Sequence, residues 1–146
     1  MNVPEILHGL AADLHHVAIA VPSIAEARTL YEGALGMSAG EVEFVPGQKV
    51  NVLVVMAGSQ RVELVEPASD DSPITGFLAK RGGGIHHLAW QVHDLADALS
   101  KLKARGIQLI HEAPQPGAHG TQVAFLHPKA CGGVLMELVQ DPSAPL

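Results

Sequence analysis

Two stretches of the chain share one pattern of apolar and polar positions. Leu14 to Ala27 reads LHHVAIAVPSIAEA and Ile85 to Ala98 reads IHHLAWQVHDLADA, with six of fourteen positions identical at an offset of 71 residues. Further on, Val62-Glu63-Leu64-Val65 matches Met136-Glu137-Leu138-Val139 at an offset of 74. The same order at nearly the same spacing implies two copies of one module, over 14–67 and 85–140. Two copies are too few for a solenoid, in which each repeat leans on neighbours at both sides.

Each copy opens on a β-branched, apolar run that predicts a strand. A helix follows. In the first copy Ser23 with Glu26 makes a capping box, Ile24, Ala27, Tyr31, Ala34 and Leu35 recur at helical spacing, and Gly36 stands at the C-cap. In the second, Asp94 is the cap, Leu95, Ala98, Leu99 and Leu102 form the stripe, and Gly106 ends it. Three strands are then expected in each copy: Glu41–Val45, Val50–Met56 and Arg61–Glu66, and Gln108–His111, Gln122–His127 and Val134–Val139. The bridge, 70–84, reads as a short helix with Ser72 as cap, Pro73 in the first turn, Ile74, Phe77 and Leu78 inward, and a Gly82-Gly83-Gly84 exit. The fold class is α+β: two tandem βαβββ modules forming a cupped, mixed and mostly antiparallel sheet, one domain over 14–140. Residues 1–13 and 141–146 are expected to be peripheral.

Composition narrows the function classes. Apolar residues make up 47%, enough for a core, and no run approaches a membrane span. A net charge of −6 with 3% aromatics disfavours nucleic acid. A single cysteine, Cys131, excludes a disulfide framework and a thiolate zinc site, and with no basic-then-apolar leader the expected location is the cytoplasm.

Nine histidines are the outlier. Strand alternation sends one residue of His15-His16 inward and the other outward, and likewise for His86-His87. Glu63 and Glu137 occupy matching places on the last strand of each copy, flanked by apolar neighbours, and are expected to point into an apolar face. A lone strand histidine is usually structural and a lone glutamate usually faces solvent. A duplicated pair is different, because two facing buried carboxylates cost several kcal/mol unless paired or bound to a cation. Two histidines and two carboxylates make an N/O donor set for a divalent metal.

At these residues the chain resembles the methylmalonyl-CoA epimerases of the vicinal oxygen chelate superfamily. The resemblance rests on His15 to Val21, Val62-Glu63-Leu64, Asp71-Ser72-Pro73-Ile74 with Phe77-Leu78, and Gly84-Ile85-His86-His87. It continues through Gly117-Ala118-His119-Gly120 and Phe125-Leu126-His127-Pro128-Lys129 to Cys131-Gly132-Gly133-Val134-Leu135-Met136-Glu137-Leu138. It implies His16, Glu63, His87 and Glu137 as metal ligands, with cobalt the expected metal and manganese, nickel or zinc as alternatives. It implies an acyl-CoA substrate, a homodimer, and exchange of the acidic C2 proton of methylmalonyl-CoA through an enolate, with Glu137 as general base. Some members carry a second acid where Val52 stands here. His119 is the candidate for the missing role and Lys129 the candidate for a CoA phosphate. Rival readings are a glyoxalase-like enzyme, an ethylmalonyl-CoA epimerase, and a non-enzymatic binding module of the same architecture.

Overall fold

The structure, a computed structural model, describes residues 10–143. Residues 1–9 and 144–146 of the segments expected to be peripheral lie outside the described residues. The chain divides into two compact units: one is 16–86, the other joins the residues through His15 to those from His87 onward.

In the 16–86 unit, strand β1 (Asp13–Ala20) leads through Ser23, whose hydroxyl accepts from Glu26 N, into helix α1 (Ile24–Arg28). Strands β2 (Ser38–Ala39), β3 (Glu43–Val45), β4 (Val50–Ala57) and β5 (Gln60–Pro67) follow. β1 runs parallel to β5, β5 antiparallel to β4, and β4 takes both β2 and β3 antiparallel on its other edge. Ile24, Leu53, Val55 and Leu64 form the core, with Ile19, Tyr31 and Met37 packed on it. The expected helical stripe fails at its end: Leu35 is exposed. The reason is a π turn over Thr29–Ala34, in which Leu35 N reaches the Leu30 carbonyl at 2.9 Å. The extra residue shifts the phase, so Met37 takes the inward place.

The bridge is helix α2 (Pro73–Arg81), capped by Ser72 and ended by Gly82 in the left-handed region, as expected. Strand β6 (Gly84–Gln91) follows it, then helix α3 (Leu95–Ala104) capped by Asp94. The second unit continues with β7 (Gln115–Pro116), β8 (Gln122–Leu126) and β9 (Met136–Gln140). β6 is parallel to β9, β9 antiparallel to β8, and β8 antiparallel to β7. Its core is Leu95, Ala98, Leu99, Ala124, Leu126 and Leu138. Leu10 packs into this core, although its segment was expected to be peripheral, and Ala12 N donates to the Gln91 carbonyl. The strand expected at Gln108–His111 is reduced to one bridge, Leu109 to Leu126. Beyond it, Ile110 N and His111 N converge on the Phe125 carbonyl, and the His111 ring takes the Phe125 N–H, so a side chain replaces the ladder.

The repeat extends to a position the sequence pattern did not mark. The Glu66 carboxylate accepts from Ile24 N at 3.3 Å, and the Gln140 amide oxygen accepts from Leu95 N at 2.8 Å. In each module the residue after the shared apolar run thus caps the first turn of that module's own helix.

Candidate metal centre and active site

In each module one sheet face is covered by the helix and the other carries the chemistry. Parallel register sets Ala18 beside Glu63 on β1 and β5, and Ala89 beside Glu137 on β6 and β9. Period-two alternation then puts His16, two residues before Ala18, and His87, two before Ala89, on the same faces as the carboxylates. Both alanines are fully buried, and a larger side chain there would occupy the space next to the carboxylate. The sequence showed these alanines as identical repeat positions without revealing that use.

In the 16–86 unit, His16 Nδ1 lies 3.1 Å from Glu63 Oε2. In the other unit, His87 Nε2 lies 3.5 Å from Glu137 Oε1. His16, His87 and Glu137 are buried, and the Glu63 side chain is 13% exposed. Imidazole nitrogen beside buried carboxylate oxygen is a donor set that fits a divalent cation: a buried carboxylate needs positive charge, and both atoms are ligands of choice for first-row metals. The chain therefore carries His/Glu groups able to hold a metal.

The remaining histidines sort differently from the in-and-out expectation. His15 is buried as well as His16. It finds a private partner, its Nε2 donating to Asp141 Oδ2 at 2.8 Å, so alternation sends it to a second buried environment and not to solvent. Burial pushes the Asp141 carboxyl up, and hydrogen bonds from His15 and from the Ser143 hydroxyl and N–H outweigh that and hold it at about 2. His86 is half-buried, edge-on to Phe77 at 5.0 Å.

His119 and Lys129 stand on exposed turns. His119 adopts φ 58° inside a short turn over Ala118–Gly120, and Thr121 Oγ1 and N donate to the Ala118 carbonyl at its base. Gly117 permits that turn: a Cβ there would lie 2.5 Å from Thr121 Oγ1 and 2.8 Å from a Val123 methyl. Lys129 N donates to His127 Nδ1 in the turn Pro128–Cys131. Val52 is buried on β4 between Glu43 of β3 and Val65 of β5, and offers no titratable atom. Two residues that pattern reading missed lie on the second unit's chemical face. Gln91 is buried, with no hydrogen-bond partner for its Nε2 among the described residues. Phe125 sits directly across from Glu137 and edge-on to His87 at 5.0 Å.

The paired modules and their buried His–Glu pairs define the vicinal oxygen chelate fold. Residues 15–125 match the family model of the Glyoxalase/Bleomycin resistance protein/Dioxygenase superfamily. Over 128 residues the chain is 44% identical to a mitochondrial methylmalonyl-CoA epimerase of Bos taurus, covering 87% of this chain and 73% of that protein. The crystal structure of methylmalonyl-CoA epimerase from Mycobacterium tuberculosis superposes with a TM-score of 0.88 at 33% identity, covering 99% of this chain and 94% of that one. A methylmalonyl-CoA epimerase in complex with methylmalonyl-CoA and NH4+ superposes at 0.86 with 28% identity, covering 91% and 96%. The chain belongs to the methylmalonyl-CoA epimerase family of that superfamily.

Proposed function

We infer that the chain interconverts (R)- and (S)-methylmalonyl-CoA at C2, with His16, Glu63, His87 and Glu137 as ligands for a divalent metal, cobalt in the first instance. The observation that carries the reading is the buried His–carboxylate pair repeated at matching positions of the two modules. When bound, the cation supplies Lewis-acid stabilisation to charge developing on the thioester and carboxylate oxygens that flank C2. Glu137 accepts the C2 proton: the C–H bond breaks, its electron pair stays with the substrate as the enolate, and the carboxylate becomes a carboxylic acid. A proton delivered to the opposite face of C2 completes the inversion, and His119 is the group assigned to that delivery. Lys129 is assigned to a CoA phosphate.

The same reading makes the protein a cytosolic homodimer. Exposed Leu30, Leu35, Phe44 and Ile85 support an apolar contact with a second copy, and no helix among the described residues is long and apolar enough to cross a membrane. Light scattering on the purified protein tests the dimer.

Proton NMR of methylmalonyl-CoA in deuterated water tests the activity, with protein as purified, after chelation, and after cobalt is restored. Metal-dependent loss of the C2 proton signal, followed by inversion in a chiral coupled assay, is the expected result. Exchange at the spontaneous rate under every metal condition rejects the substrate. Ethylmalonyl-CoA in the same assay separates the two acyl groups.

A further inference from the structure

We propose that Gln91 binds the free carboxylate of the malonyl group through its side-chain N–H. The inference rests on the epimerase reading above and supplies an amino-acid partner for a substrate group to which that reading gives none.

One row of residues across the sheet can be compared directly between the modules. In the first, Ala20 on β1 lies beside Val65 on β5, and Val65 opposite Val52 on β4. In the second, Gln91 on β6 lies beside Val139 on β9, and Val139 opposite Val123 on β8. The valines are equivalent, and the amide stands where the first module has a buried alanine. Alternation from His87 through Ala89 puts the Gln91 side chain on the face that carries Glu137. Gln91 is 4% exposed, and its Nε2 has no hydrogen-bond partner among the described residues. A buried donor left in that state costs stability. Ala20 shows that the row packs without an amide, so the fold does not ask for one.

A neutral N–H serves an acceptor, and the acyl group offers two: the thioester oxygen and the free carboxylate. The direction of the strands chooses between them. β8 runs from the turn that carries His119 to the turn that carries Lys129, the residue assigned to a CoA phosphate. The Gln91 row meets β8 at Val123, and Glu137 stands opposite Phe125, two residues further toward Lys129. The thioester leads to CoA and so toward the Lys129 end, which turns the carboxylate toward Gln91. β6 agrees, since Gly84 and Ile85 at its start are exposed while Gln91 and the following Val92 are buried. Successive rows of one face lie about 7 Å apart along a strand, and the carboxyl carbon is bonded directly to C2. A substrate with C2 at Glu137 therefore brings a carboxylate oxygen into the interval between the Glu137 and Gln91 rows.

The test measures, by titration calorimetry on the cobalt-restored protein, the binding of malonyl-CoA, which has the carboxylate, and of propionyl-CoA, which lacks it. Q91M keeps the side-chain length and removes the donor, and Q91A installs the residue of the first module. Both should bind malonyl-CoA about tenfold or more weakly, the scale of one hydrogen bond to a charged group, and bind propionyl-CoA as wild type does. KM for methylmalonyl-CoA should rise by a similar factor with kcat little changed, because the contact is present in ground and transition states alike. Ligand-free Q91M should unfold at the same urea concentration as wild type or higher, since it loses no protein partner. Wild-type affinity for malonyl-CoA in both variants overturns the proposal and leaves the epimerase reading standing. An equal loss for the two thioesters overturns it as well, because the carboxylate is then not the group held. A lower urea midpoint for Q91M with unchanged binding overturns it in favour of a structural role. A wild-type protein that neither binds methylmalonyl-CoA nor exchanges its C2 proton overturns both.

Discussion

Glu137 is asked to do two things, to hold a cation and to move a proton, and the charge-free isostere separates them. E137Q should lower C2-proton exchange by about 10²–10⁴-fold, the range for loss of a general base, with near-normal turnover removing Glu137 from the chemistry. H119A should lower turnover while cobalt content stays at the wild-type level, because His119 stands on an exposed turn apart from the ligand strands. Unchanged kinetics would return it to a surface role. Asp141 gives a stability prediction. Its folded value of about 2 lies below the ordinary 3.8, so the native state favours the charged form. The stabilisation, about 2 kcal/mol, is present above pH 4 and is lost as pH falls through the folded value. D141N should unfold at lower urea than wild type at pH 5, and the gap should shrink by pH 2.5; a gap independent of pH would refute the linkage.

At the scale of the elements, local signals were legible and distant ones were not. Ser23, Ser72 and Asp94 cap their helices as read, because a cap is decided within three residues. The π turn after α1 was not legible, since a period of apolar residues does not announce where one extra residue enters. Nor was the loss of a strand at Gln108–His111, where the His111 side chain competes for the Phe125 N–H. The candidate ligand histidines could be narrowed to one of each pair by alternation, but choosing His16 and His87 needed the family resemblance. The structure sets these two beside Glu63 and Glu137, and sends His15 to Asp141. Phe125 was invisible because its place opposite Glu137 is set by cross-strand register. The new caps are testable at this scale. Q140A should cost about 1 kcal/mol, the usual value of a lost N-terminal cap, read as a shift in the denaturation midpoint with unchanged slope. A shift no larger than that of an exposed alanine substitution would show that Gln140 does not support α3.

At the scale of the whole molecule, the repeat was the most informative feature of the sequence, since it gave the module count, the opening strand and helix of each module, and the histidine pairs and glutamates among which the candidate ligands lie. It did not extend to Leu10, which joins the second module's core from outside either copy. Metal binding gives the molecule-wide prediction. A cation that binds only the folded chain should raise stability by about 2.7 kcal/mol at a hundredfold excess over its dissociation constant. Calorimetry should show the transition rising with cobalt concentration and falling back on chelation, and a transition indifferent to cobalt would contradict the site.

The two caps supplied by Glu66 and Gln140 also bear on the order in which the chain acquires structure. Each reaches its helix from 42 or 45 residues away. α1 has only five residues, too few to persist alone in water. Ser23 caps it locally, but the Ile24 N–H of its first turn meets the Glu66 carboxylate only when β5 has come back to lie beside β1, so the start of the module is completed by its end. A ribosome that has released α1 has not yet released the residue that secures it. Each module should therefore gain hydrogen-exchange protection in its helix and its last strand in the same kinetic step, at the pace of long loop closure and not of helix formation.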